Sequence, residues 1–439
     1  MTLVRARFAM VQGTGKALIF ERSPVVRIVR HSVSLFLGDG IARLMLFATG
    51  LYLARTLGVG LFGLLAFAQA LLTYLLLVGD WGLGIYGTRE IATRTPAWRK
   101  IWLRVTAVRT TLAGASCLVT LVIVLASSWD STTKAVVGVT LLSAVPLSAM
   151  PDWVFRGLEK MGVAGALTAV QPTMAFAGIL LTVHTPADVA GVPGVRLAAV
   201  CVIAAVSHLM LRIMLRTSSQ ADPADGTTRH VQPIEIVRLL QSGTVLLLTN
   251  AAVLAYTNID LVLLRWLSGD QLVGLYSAAY RVIQLPMGAF YALTAAAQPV
   301  LTRQSRHGAS VVNATVRPIA ASAAIAGVAV AVVIAAFRHG VIQLLYGPSF
   351  APAAGPLAIL AVAIPLDFLV AIKGTSYVAR GLERPTLVCV AASAIINIAG
   401  NLLLIPRFGM TGAALSTVIS YAVLLVAYVV VLDGAGARG

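Results

Sequence analysis

Arg43, Arg281 and Asp260 each lie inside an apolar run long enough to cross a bilayer, which takes about 20 residues as a helix. A charge at the centre of such a helix costs roughly 2.5–3.5 kcal/mol on insertion scales. It persists only where it meets a partner or a water-filled cavity. Asp39 precedes Arg43 by one helical turn, within ion-pair reach. Asp260 shares a helical face with Thr249 and Tyr256, and Arg281 edges a face carrying Tyr280, Gln284, Tyr291 and Gln298. Gln69, Thr73 and Asp80 form a third polar stripe, and Asn397 with Asn401 a fourth. Arginine is a planar, permanently charged fork that binds oxyanions in pairs, so these arginines favour an anionic ligand. Intramembrane aspartates mark ion pathways and proton relays. Arg43, Arg281, Gln284 and Tyr256 are therefore candidate ligand-binding residues, and Asp260, Asp39 and Asp80 candidate ion-coupling residues. A purely structural reading competes: Asp39 neutralises Arg43, Asp260 pairs with Arg281, and the tyrosines pack. Neither a catalytic set nor a metal site is expected. The six histidines are scattered, and Cys117, Cys201 and Cys389 sit in apolar runs without ligand spacing.

The elements that must position these groups are helices. The chain of 439 residues is 59% hydrophobic and only 11% charged, against about 25% in soluble domains. Its mean hydropathy is +0.90. A membrane β-barrel would instead show alternating segments of about 10 residues. The expected fold class is all-α: a polytopic membrane protein with about 12 transmembrane helices in two six-helix lobes around a central cavity. The expected spans are 33–56, 61–83, 102–127, 135–152, 161–183, 195–216, 239–266, 271–299, 315–337, 354–373, 385–405 and 409–432, the fourth being short. Residues 1–30 read as a basic cytoplasmic tail rather than a signal peptide, because no apolar core leads to a small-residue cleavage site. Residues 31–216 then form the first lobe, the polar stretch 217–235 a cytoplasmic inter-lobe loop, and 236–439 the second lobe.

The net charge of +17 could suggest nucleic acid, but its distribution fits membrane orientation. With the N-terminus inside, 24 Lys and Arg fall on the inner side and 6 on the outer, namely Arg55, Lys134, Arg196, Arg265, Arg338 and Arg407. Both termini are expected in the cytoplasm. A weak repeat links the halves: Leu53-Ala54-Arg55 with Gly58 and Phe62-Gly63 resembles Leu264-Arg265-Trp266-Leu267 with Val273-Gly274. Such repeats occur in transporters that enclose a midplane site.

Several stretches carry a family resemblance. Pro151-Asp152-Trp153-Val154-Phe155-Arg156-Gly157-Leu158-Glu159-Lys160-Met161 resembles the run after the fourth helix of Wzx-type O-antigen and polysaccharide flippases, with Arg156 where Gln is usual. Phe62-Gly63, Asp80-Trp81-Gly82-Leu83 and Arg89-Glu90-Ile91-Ala92 resemble that family's second-helix signature. Asp260 with Val273-Gly274-Leu275-Tyr276-Ser277-Ala278 and Arg281 resembles its seventh-to-eighth helix region. Asn397, Asn401, Leu404-Ile405-Pro406 and Gly409-Met410-Thr411-Gly412-Ala413 resemble the eleventh-to-twelfth.

The resemblance implies a member of the multidrug/oligosaccharidyl-lipid/polysaccharide (MOP) exporter superfamily. It implies a transporter, not an enzyme, that flips undecaprenyl-pyrophosphate-linked oligosaccharide from the cytoplasmic to the periplasmic leaflet of the inner (plasma) membrane by ion-coupled alternating access. It needs no cofactor beyond H+ or Na+ coupling. Its implied partners are that lipid-linked glycan, the lipid bilayer, and a polysaccharide polymerase with a chain-length regulator; no nucleic acid is expected. The alternative within the superfamily is a drug/cation antiporter, which an acidic cavity would favour. A membrane glycosyltransferase or polymerase is the rival from another class. It needs an acidic outer loop or a large outer segment, and the stretch from Arg55 to Leu61 has no acid.

Overall fold

In a bilayer every backbone N–H and C=O must be satisfied within its own segment, which leaves an apolar chain the choice of helix or closed barrel. This chain takes the first. The computed structural model describes residues 24–93, 98–217 and 233–433, and among the described residues there is no strand. Helix Pro24–Asp80 is interrupted once, at Gly58, whose φ of 77° is open to glycine and strained for other residues. At about 1.5 Å per residue its apolar part, Leu35–Asp80, is far too long for one crossing of about 30 Å. The break divides it into α1 (24–57) and α2 (59–80).

The other long helices follow in order. They are α3 (Trp98–Ala126), α4 (Ser131–Gly157), α5 (Met161–Thr182), α6 (Gly191–Thr217), α7 (Pro233–Ser268), α8 (Asp270–Gln304), α9 (Ala309–Ala336), α10 (Pro348–Ala379), α11 (Glu383–Phe408) and α12 (Met410–Val431). Among the described residues nine helices are long and apolar enough to cross a membrane, ten with the bent α10; counting the two parts of Leu35–Asp80 separately and adding α8 gives twelve long elements, six on each side of the stretch between α6 and α7. α8 is the most polar of the long helices, and α10 is a bent pair, with an angle of 41° between Pro348–Ala361 and Ala363–Ala379.

Three boundaries differ from the sequence expectation. α1 already begins at Pro24, inside the stretch read as a tail. The short fourth helix is a full-length span in three pieces, Ser131–Leu142, Ala144–Ala149 and Asp152–Gly157, with Pro151 at the last junction. α10 is longer than 354–373 at both ends: the turn Pro348–Ala353 leads directly into it, and its second part runs on to Ala379. Residues 1–23, most of the loop 217–235, and the C-terminus from 434 lie outside the described residues, and with them Arg229 and the placement of both termini.

The largest buried cluster runs from Leu53 and Phe62 through α8 to Phe368 and Tyr421, spanning both halves. A second, around Trp102, Trp153 and Leu211, has its buried residues in the first half, with Leu240 of α7 packed against it. Large apolar side chains stand outward on the surface, among them Leu118 and Ile123 on α3 and Ile325 and Val332 on α9. That belt suits lipid and would be an aggregation hazard in water.

The halves touch at both ends of the bundle. At the arginine-poor end, Gly63 lies on the backbone of Asp270, and Gly274 on that of Val59. Arg55 donates to the carbonyls of Leu344 and Leu345. Arg265 is bound by Asp270 at 2.6 Å and stacks over Phe67 and Trp129, at 4.2 and 4.6 Å from the ring centres. At the arginine-rich end, Trp81 donates its indole N–H to the Leu240 carbonyl at 3.2 Å, and Gly243 lies on the Trp81 backbone.

Candidate substrate cavity

The site is built on the seam between α1 and α8, which run antiparallel in constant register. Arg281 of α8 lies over Gly50 of α1, and Arg43 of α1 lies over Gly288 of α8. Each arginine is therefore seven residues from the glycine that receives the other. A Cβ at either glycine would clash with the guanidinium above it. The two small residues make room for two large charged ones.

Two chambers open from this seam. One, of about 320 Å³, is lined by Arg43, Asn258, Tyr280, Tyr291 and Tyr421 among others. The second, of about 390 Å³, extends into the first half and is lined by Gln69, Thr140, Ser143, Gln171 and Arg196 among others. Leu46, Arg281 and Gln284 border both, so they stand at the junction.

The arginines differ in their compensation. Arg43 donates from Nε to Asp39 Oδ2 at 2.7 Å, with both side chains about half exposed. Arg281 lies 5.1 Å from the Phe62 ring centre and, among the described residues, has no hydrogen bond and no carboxylate within 4 Å. Arg196 donates to the neutral amide oxygen of Gln69 at 3.2 Å and likewise has no carboxylate partner among the described residues. Arg196 corrects the sequence reading: counted there among the outer positives, it sits in a helix and faces the cavity. Its helix starts early, at Gly191, after a 3-10 turn closed by a Thr185–Asp188 capping box with Pro186 at its first position. That Thr-Pro-Ala-Asp signal was present in the sequence.

The carboxylates also separate. Asp260 is 1% exposed and accepts from the Tyr276 hydroxyl, with Thr417 Oγ1 at 3.4 Å. It does not pair with Arg281. Behind Thr417 a polar strip continues: Asn397 donates to Ser420 Oγ at 3.2 Å, and Asn401 to Asn397 Oδ1 at 2.8 Å. The Asn401 Oδ1 atom is buried with no partner. Four helices, α7, α8, α11 and α12, thus meet on hydrogen-bonding groups able to hold a proton or a small cation. Asp80 is placed elsewhere, at the end of α2, where it pairs with Arg109 at 3.0 Å and accepts from the Gly84 N–H. Asp39 is tied to Arg43 and does not line either chamber. Tyr256 lies behind the wall, edge-on to Tyr421 with centroids 5.4 Å apart.

Sequence reasoning missed Asp367 on α10. It is fully buried, accepts from the Tyr291 hydroxyl at 2.7 Å, and leaves its second oxygen without a partner. Its signal was the one used for Asp260, a lone acid in an apolar run.

The described arrangement is thus a polar cavity with positive charge at its centre, enclosed by helices with an apolar outer face. Comparison with curated protein sequences gives no match. Among solved structures, lipid II flippase MurJ in an inward closed conformation aligns with a TM-score of 0.70 at 12% identity, covering 92% of this chain and 87% of that one. A multidrug resistance MATE family transporter of the MOP superfamily, in an inward-facing conformation, aligns at 0.67 and 16%, covering 94% and 98%. A MOP superfamily transporter from Pyrococcus furiosus, described as having a binding pocket of reverse polarity, aligns at 0.66 and 14%, covering 95% and 96%. At such identities the likeness shows the fold. A family profile described as "Polysaccharide biosynthesis protein" matches residues 28–305, more than half of the sequence. The chain therefore belongs to the polysaccharide biosynthesis protein family, and it is a multi-pass membrane protein with the fold of these MOP superfamily transporters.

Proposed function

We propose that this transporter flips an undecaprenyl-diphosphate-linked oligosaccharide across the plasma membrane, from the cytoplasmic to the periplasmic leaflet. The observation that carries the reading is Arg281, a guanidinium without a carboxylate at the junction of two polar chambers. A diphosphate offers paired oxygens to such a fork, and charge-assisted bonds of this type are about twice as strong as neutral ones. Amides and hydroxyls from Gln69, Gln171, Gln284, Thr140 and Asn258 suit sugar hydroxyls, while the lipid tail stays in the bilayer. A drug/cation antiporter would gain nothing from a bare arginine at that point, so the anionic substrate is the better reading.

Ion coupling is assigned to the Asp260 cluster. Asp260 lies three and two residues after Thr257 and Asn258, which border the cavity, and its partner Tyr276 precedes Arg281 on α8 by five residues. Binding or loss of a proton or sodium ion there would shift α7 against α8 and thereby re-aim Arg281. Lys and Arg asymmetry supports cytoplasmic termini. The polymerase and chain-length regulator inferred from the resemblance belong to this proposal as partners.

The test is surface polysaccharide display in a flippase-null strain, with membrane insertion followed by blotting. Arg281→Ala should abolish display with normal insertion, and Arg281→Lys should restore part of it, because Lys keeps the charge and loses the fork. Near-normal display by Arg281→Ala would overturn the reading.

A further inference from the structure

We propose that the diphosphate is clamped between Arg196 and Arg281, one guanidinium from each half, rather than between the two seam arginines. The inference rests on the reading of a diphosphate-linked substrate and deepens it. Three arginines face the cavity, but Arg43 already shares its charge with Asp39 at 2.7 Å. Two positive charges then lack a carboxylate partner among the described residues, those of Arg196 and Arg281. Both line the second chamber, and their charges repel one another across it. A diphosphate esterified at both ends carries two ionised phosphate groups, which matches two uncompensated guanidiniums and relieves their repulsion. A monophosphate ester gathers its charge on a single phosphorus and has no second phosphate group to present to the other fork.

Gln69 is a positioning residue in this scheme. Its amide oxygen holds Arg196 at 3.2 Å without neutralising it, so the charge stays available while the side chain is aimed. The glycan then extends along the polar wall of the same chamber, past Gln171 and Ser143.

The experiment measures equilibrium binding of undecaprenyl diphosphate and undecaprenyl monophosphate to the purified full chain in lipid nanodiscs. The wild type should prefer the diphosphate by about 10-fold, the size of losing one charged hydrogen-bonded contact. Arg196→Gln should lose about 10-fold on the diphosphate and little on the monophosphate, so that the preference disappears. Arg196→Lys should keep part of it, and Arg338→Ala, which removes a positive charge outside the cavity, should keep all of it. If Arg281→Gln loses diphosphate binding while Arg196→Gln keeps the preference, the clamp is overturned and the flippase reading stands. If Arg196→Gln loses both lipids equally and melts earlier, Arg196 is structural and the clamp is again overturned. If the wild type binds neither lipid, the flippase reading falls and takes the clamp with it.

Discussion

Arg281 and Asp260 show how far single residues in an apolar run can be read. A lone charge in such a run implies a cavity or a partner, and the two resolve differently: Arg281 faces a chamber, while Asp260 is sealed on Tyr276 and Thr417. The sequence could not separate these outcomes because both charges stand alone in apolar runs, and the partners that seal Asp260, Tyr276 and Thr417, come from other helices. Asp367 carried the same signal and was lost beside Lys373. Arg196 was lost because His184-Thr185-Pro186-Ala187-Asp188 reads as loop until the capping box is recognised. Two outcomes follow at this scale. Asp260→Asn should abolish surface polysaccharide display while the protein still inserts, and normal display would exclude a coupling role. Gly50→Ala puts a methyl group where the Arg281 head now lies. A flexible side-chain end can yield, so insertion and thermal midpoint should hold. The displaced fork should still lower transport by about 10-fold or more, since a misplacement of about 1 Å can cost 10²-fold. Unchanged transport in Gly50→Ala would show that the placement of Arg281 over Gly50 does not matter.

Helices and turns were more legible than side-chain contacts. Order and type followed from apolar length, and the positive-φ glycine Gly58 fell in the first copy of the repeat, while the second copy turns at Gly269, ahead of its Val273-Gly274. The three-piece α4 and the bent α10 were not legible, because a break that stays within one span leaves the hydropathy of the run intact. The turn-on-turn contact at the arginine-poor end yields its own expectation. Gly274 and Gly63 each abut backbone, which cannot swing aside as an arginine head can. Gly274→Ala should therefore destabilise by about 1–3 kcal/mol, the range for overpacking a tight contact. Thermal unfolding of the purified protein in detergent should show a midpoint lowered by several degrees, whereas an unchanged midpoint would mean the turns are free to part.

At the level of the molecule, the positive residues and the repeat pointed to two halves around a cavity, and the described helices have that arrangement. Transport by alternating access requires the contacts at one end to open while those at the other hold. Gly60 and Gln271 face each other across the arginine-poor end, with the Gln271 Cγ 3.9 Å from where a Gly60 Cβ would stand. In a chain lacking Cys117, Cys201 and Cys389, Gly60→Cys with Gln271→Cys should form a cross-link on oxidation or with a short thiol reagent. That link should stop polysaccharide display, and reduction should restore it. Full display with the link intact would rule out opening at this end.

The seam has a consequence for descent. Because Arg281 occupies the space a side chain at position 50 would need, and Arg43 the space at position 288, neither member of a pair can change freely alone. A substitution that enlarges position 50 is tolerated best in a background where position 281 has already shortened, and the same holds for 288 and 43. Related chains should therefore drift at these sites in couples, with two independent couples linking two helices from opposite halves. A lineage that lost one arginine would be free to fill the glycine opposite it, and that filling would then bar the arginine's return.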